Sequence, residues 1–431
     1  MNFFIPLTKV LKMSTNQTFK SIDEVSQERF KYTSCTEAAL SGDLNELKKM
    51  HEAGFEWDLY TPALATANGH LECLKYVHEN GCEWNLYSTA YAAEKGYLQC
   101  LKYAHENGCI WNILTTSYAA KNGHLECLKY AHENGCEWDV STPAYAAKNG
   151  HLECLKYAHE NGCEWDWKTP AYAAENGHIE CLKYAHENSC VWGSLTPSNA
   201  AYNGHLECLK YAHENGCHWC NNTPARAAAN GHLECLKYAH ENGCRWDIWT
   251  PIYAAKKGHL DCLRYAYENG CEWDWNTPVL AAENGHLDCL KYAHENGCKL
   301  NRRIIIEAAR NGQLNCLRYA FENGCPYDNI APIVAAQKGY LECFKYCFQV
   351  WDNPQTFWNY DFALNKIIDE IDLDDPVWRR LFSLDLKKYP QLESKVETKK
   401  KIIDEIKQAS KEALQNILPI DIIKFILQPY F

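Results

Sequence analysis

The chain has 431 residues, of which 46% are hydrophobic, and 43 Lys and Arg stand against 55 Asp and Glu for a net charge of -12. This acidic balance argues against a phosphate-backbone partner, which needs clustered cations, so no nucleic acid is expected. No apolar run approaches the roughly 18 residues of a membrane-crossing helix, so no membrane span is expected either.

The start, Met1 to Leu7, is apolar, but Pro6, Lys9 and Lys12 interrupt it and no small-residue cleavage site follows. It makes a poor signal peptide, and the protein is expected to be intracellular. Residues 1–33 read as a leader or an extra capping segment. From there a glycine returns every 27 residues, at Gly42, Gly69, Gly96, Gly123, Gly150, Gly177, Gly204, Gly231, Gly258, Gly285, Gly312 and Gly339, with no insertion or deletion. A fixed period of this size means stacked supersecondary units, here an array of twelve repeats over residues 34–350. At about 10 Å per layer the array would be on the order of 110 Å long. Such an array has a long exposed face and no obligatory catalytic cleft.

The copy from Thr142 to Lys168 shows the unit. Thr142 reads as a helix N-cap with Pro143 at the first helical position. Ser or Thr holds that place in ten of the twelve copies, Ile304 and Ala331 being the exceptions. An Ala-rich first helix ends at Gly150, which supplies a left-handed backbone. A second helix starts near His151, with Leu152, Cys154, Leu155, Tyr157 and Ala158 as its apolar stripe. Glu153 and Lys156 can pair on its outer face. Gly162 closes this helix, and Cys163 and Trp165 lead into the next copy. The first copy is more polar: Glu46 replaces the cysteine of the second helix, as suits a capping repeat.

Of the 24 cysteines, all but Cys35, Cys220 and Cys347 fall on two fixed places in the repeat. They are expected to be packing residues, kept as thiols in a reducing compartment. The tryptophans Trp57, Trp84, Trp111, Trp138, Trp165, Trp192, Trp219, Trp246 and Trp273 also keep phase and read as a spine of core side chains. The Cys and His spacings, such as His70 to Cys73 and His78 to Cys82, suggest a structural zinc alternative. Four convergent ligands are needed, however, and equivalent cysteines one layer apart would lie about 10 Å apart. A Cys-His nucleophile would be repeated some ten times without an orienting group or oxyanion site, so no enzyme and no cofactor are expected.

The run Thr-Pro-x-x-Ala-Ala-x-Asn-Gly-His-Leu-Glu-x-Leu-Lys-Tyr, closed by Glu-Asn-Gly-Cys, resembles the ankyrin repeat, and the resemblance covers residues 34–350. It implies an all-α helix-turn-helix solenoid that serves as a protein–protein interaction scaffold and binds as a monomer. The period of 27 is short of the usual ~33, and the histidine that commonly follows Thr-Pro-Leu is absent. The missing residues correspond largely to the β-hairpin finger. The chain is thus similar to the finger-poor, Cys- and Trp-rich arrays of protists and the large DNA viruses that infect them.

Binding is expected at the positions that vary against this fixed frame, in the turn before each first helix. They include Tyr60, Tyr87, Trp167, Trp249, Trp275, Arg302 and Arg303, residue types that suit interface hot spots. After Cys343 the rhythm stops, and residues 351–431 read as helical. Their end, Leu418-Pro419-Ile420-Asp421-Ile422-Ile423-Lys424-Phe425-Ile426-Leu427, resembles the opening of an F-box and the PRANC domain. That resemblance implies a cullin ligase adaptor as a partner, met through Leu418, Pro419, Ile422, Ile423, Ile426 and Leu427. The alternative is a helix that caps the solenoid.

Overall fold

In a computed structural model, the described residues are 30–328 and 330–351, together with Glu397 and Lys401. Among them the chain is all helical, with 24 helices and no strand, from Cys35–Ser41 to Leu341–Trp351. The expected tail helices and the stretch 418–427 lie outside these residues. The chain divides into two compact units between Thr223 and Pro224.

In the first unit each repeat contributes a short first helix, as in Thr142–Lys148, and a nine-residue second helix, as in Leu152–Glu160. Neither is long enough to persist alone in water, so each is held by packing. Successive first helices lie against one another more closely than successive second helices do. Small residues permit this: Ala144, Ala146 and Ala147 are fully or almost fully buried, as are their counterparts in neighbouring repeats. The second helices bury Cys154, Leu155 and Ala158. At the start of the unit, Phe30 meets Phe55 edge-on at 5.0 Å and Lys31 pairs with Asp43 at 2.9 Å. Asp43 also caps Leu44–Glu52 by accepting the Glu46 N–H.

The second unit repeats the scheme. Leu260–Glu268 buries Cys262, Leu263 and Ala266, and Arg302–Arg310 buries Ile304, Ile305, Ala308 and Ala309. Here Ile304 stands where other copies place a threonine.

Ser34 in the first copy is the helix cap that the sequence suggests, accepting the Glu37 N–H at 3.2 Å, but the threonine of the later copies is not. Thr142 is already the first helical residue and makes no capping bond. The start of that helix is fixed three residues earlier. An Asp139 carboxylate oxygen accepts the Ser141 N–H at 2.9 Å, and the Asp139 carbonyl accepts the Thr142 N–H at 2.9 Å. This is an Asx turn, which uses a short carboxylate as a substitute for backbone. Asp58, Asn85, Asn112, Asp166, Asp247, Asp274, Asn301 and Asp328 do the same in other repeats. The threonine is buried instead, and the hydroxyls of Thr169, Thr250 and Thr277 have no hydrogen-bond partner.

The two glycines of each repeat differ in what they must do. Gly162 has φ of 84° with open space where a Cβ would stand, so only its backbone conformation matters. Gly150 has φ of 76°, and a Cβ there would stand 2.6 Å from Nδ1 of His178 in the next repeat. That histidine position has a fixed task. His70 Nε2, for example, donates to the Leu40 carbonyl at 3.1 Å, satisfying a group left open at the end of a first helix.

Candidate partner-binding surface

One edge of the repeats is frame. His159 stacks on Trp165 with ring centroids 4.3 Å apart, and Tyr184 of the next repeat meets Trp165 edge-on at 6.3 Å. The Trp165 indole N–H donates to the Asn188 carbonyl at 3.0 Å, which ties one repeat to the next. In the second unit His240, Trp246 and Tyr265 form the same cluster, closed by a 3.0 Å contact between His240 Nδ1 and the Tyr265 hydroxyl. The tryptophans therefore do link repeats. They are half-buried at an edge, however, and not in the core that the sequence suggests. The core is alanine, leucine and cysteine.

The Asx turns create the other feature. Val140 sits between the Asp139 side chain and the N–H groups that turn engages, so its backbone is wound tightly and its side chain points to solvent. The same place holds Leu59, Leu86, Ile113 and Trp167, all exposed, with Trp167 at 64%. Next to it, Tyr87 is exposed and stacks on Tyr91 at 5.7 Å, while Tyr60 is only half-buried. Lys168 lies over the Trp167 ring at 5.5 Å. Toward the end of the first unit the turn becomes more polar, with Ser194, Asn221 and Asn222 exposed, although Leu195 beside Ser194 is exposed as well.

In the second unit the same turns carry Ile248, Trp249 and Trp275, all exposed. Trp249 stacks on Tyr253 at 5.6 Å. Arg302 and Arg303 are exposed, and the Arg303 guanidinium lies over the Trp275 ring at 5.4 Å. Of the residues expected to bind, all but Tyr60 thus stand open to solvent. Leu59, Leu86, Ile113, Val140, Ile248 and Tyr253 join the row as well. Phase alone marks the first five, since they share the variable turn. Tyr253 comes from the first helix and joins only through its stack on Trp249. Leu418, Pro419, Ile422, Ile423, Ile426 and Leu427 lie outside the described residues.

The thiols and imidazoles go to different places. Cys154 is buried in the core and Cys163 beneath the turn, and burial pushes both thiols up to about 12, far from a reactive thiolate. His159 lies flat on Trp165. Among the described residues no group of three His, Cys, Asp or Glu is placed to hold a metal ion. No described helix is long and apolar enough to cross a membrane.

Residues 116–191, 143–222, 197–277 and 279–349 match the family described as Ankyrin repeats (3 copies), so more than half of the chain is covered. The chain belongs to the ankyrin repeat family, whose repeats are a scaffold for protein–protein interaction. No curated protein matches the sequence. Among solved structures, the human ASB11 ankyrin repeat domain is similar over 37% of this chain and 85% of its own, at 18% identity and a TM-score of 0.32.

Proposed function

We propose that this protein is a non-catalytic scaffold that holds protein partners on its Asx turns, through Tyr60, Tyr87 and Trp167 in the first unit and Trp249, Trp275, Arg302 and Arg303 in the second. One observation carries the reading. Large side chains are exposed at the positions that vary, while the rest of each repeat is nearly constant. An interaction scaffold needs a fixed frame with a changeable face, and aromatic and arginine side chains are the strongest anchors such a face can offer. The array spans residues 34–350, with 1–33 as its leader or cap and 351–431 as a separate helical region, and the molecule works as a monomer. Its many buried cysteines suit a reducing, intracellular setting. The short, Cys- and Trp-rich repeat fits kinship with arrays of protists and their large viruses. To test the scaffold reading, partners captured from cell extract with the intact chain are measured against a chain carrying Trp167→Ser, Trp249→Ser and Trp275→Ser. Loss of a captured protein by the variant supports it, and identical recovery by both sinks it.

A second function rests on the sequence Leu418-Pro419 with Ile422, Ile423, Ile426 and Leu427. Their spacing gives one apolar helix face suited to a partner's groove. The array would then recruit substrates to a cullin-type ligase. Pull-down of cullin adaptor subunits by the full chain but not by a chain ending at Asn416 would support this, and equal recovery would leave a structural cap.

A further inference from the structure

We propose that the second unit's part of the row is a docking surface for an acidic protein segment carrying apolar side chains. The inference rests on the reading of the Asx turns as partner-facing and names the chemistry of the partner. Trp249 and Trp275 are exposed, the latter at 55%, as are Arg302 and Arg303. They belong to the successive first helices Trp249–Lys257, Asn276–Glu283 and Arg302–Arg310 and their turns, which pack side by side.

The carboxylates on this face are mostly engaged. Asp247 and Asp274 accept the N–H groups of Trp249 and Asn276 within their own turns. Glu307 is largely buried and sits between Arg303 at 3.9 Å and Arg310 at 3.6 Å. Glu283 is half-buried. Arg302 and Arg303 are thus an exposed cationic pair beside Trp275, with Asp247 and Glu272 as the exposed carboxylates of the neighbouring turns, on a chain whose net charge is -12. No comparable arginine pair occurs in the turns of the first unit, where Lys168 over Trp167 is the single cation among the variable turn residues.

The geometry suits carboxylates with apolar neighbours. Arg303 lies over Trp275 and within 3.9 Å of Glu307 while its side chain stays 55% exposed. A guanidinium already packed against an indole loses less freedom when it takes a carboxylate in paired hydrogen bonds. The exposed indoles of Trp249 and Trp275 take apolar side chains beside it. A nucleic acid fits less well. Its charge continues beyond the patch, where an acidic chain repels it over a screening length of about 8 Å. A short acidic segment meets only the patch.

The test selects peptides from a random library on immobilised full-length chain, in parallel with Arg302→Glu/Arg303→Glu and Trp275→Ala chains, with single-stranded DNA as competitor. Selected peptides should be rich in Asp and Glu and should contain aromatic or aliphatic residues. The binding of one of them, followed by fluorescence anisotropy, should weaken with salt. It should fall about tenfold or more, or ~1.4 kcal/mol, in the charge-reversed chain. An Arg302→Gln/Arg303→Gln chain should show a smaller loss in the same direction, which separates charge from misfolding. Selection of neutral or basic peptides would overturn the inference. So would acidic peptides that ignore these substitutions, or displacement by DNA at matched charge concentration. Neutral peptides lost with Trp249→Ser and Trp275→Ser would leave the scaffold reading standing and remove only this one. Peptides indifferent to every turn position would remove both.

Discussion

At the residue scale, glycine and histidine act as a pair across repeats. Gly150→Ala brings two penalties: a left-handed backbone for a residue with a Cβ, about 1–2 kcal/mol, and a collision with the His178 ring. Gly162→Ala brings only the first. Denaturant melts should therefore rank Gly150→Ala as the more harmful, and equal losses would refute the packing role of the ring. The sequence supplies a natural control. Ser189 stands where other copies have the second glycine, with φ of 64°, and among the described residues it alone is non-glycine in that region. Ser189→Gly should stabilise the chain by on the order of 0.5–1 kcal/mol, since relief of strain exceeds the added freedom of the unfolded chain. The same histidines give a pH dependence. His151 and His178 lie below their ordinary value of 6.5, first because burial penalises the cation and then because neighbouring imidazoles, His124 and His178 for the one and His205 for the other, repel it. The carbonyls of Lys121 and Lys148 oppose this only in part. The unfolded chain then binds more protons below about pH 6.5, so stability is complete above that pH and declines as pH falls toward the folded values. Gln313 already occupies this place in one repeat. The drop in urea midpoint from pH 7.5 to 5.5 should therefore shrink in a His151→Gln/His178→Gln chain, and an unchanged drop would assign it to other groups.

At the element scale, the first helix depends on the Asx turn. Asp139→Ala removes the bond to the Ser141 N–H and should cost about 1 kcal/mol, the usual worth of a helix-start side chain. The reverse change is available one repeat pair later. Gly193 takes the aspartate's place, its φ is not in the left-handed region, and a Cβ there meets nothing within 4 Å. Gly193→Asp should stabilise by on the order of 1 kcal/mol, by restoring the turn and by restricting the unfolded chain. A melt showing no gain would mean that the turn is set by its neighbours. What could be read in the sequence follows from this element. The helices, their glycine ends and the Cys, Leu and Ala of the core stripe are legible, because periodicity and left-handed ends are properties of local sequence, while Leu152 and Tyr157 of that stripe are only half-buried. The start of the first helix was misplaced, because Asp139 and Thr142 are both helix-start residues and nothing in the spacing says which one accepts the N–H. The contact of His178 on Gly150 was not legible, since it joins residues 28 apart through space. Trp165 was legible as structural but not as half-buried, because a fixed phase shows that a residue packs and not how deeply.

At the scale of the whole molecule, a repeat array separates frame from face, and two tryptophans two residues apart test that separation. Trp165 stacks on His159, meets Tyr184 and donates to the Asn188 carbonyl, so it belongs to the joint between repeats. Trp167 projects from the Asx turn, with Lys168 over its ring at 5.5 Å. In a stack each repeat draws its stability from its neighbours, so a broken joint is felt on both sides. Trp165→Ala should cost on the order of 2–3 kcal/mol, somewhat less than the ~3–5 of a fully buried tryptophan. Trp167→Ala should change stability by no more than about 0.5 kcal/mol, as exposed positions do. If the turns are the face, the second substitution should weaken partner capture while the melt stays in place. The first should lower the melt, and capture should return once the chain is measured well below its new unfolding midpoint. A Trp167→Ala chain that unfolds as readily as Trp165→Ala would place both tryptophans in the frame and leave the turns without a separate role. A Trp165→Ala chain that is stable but fails to bind would move the binding face to the aromatic edge.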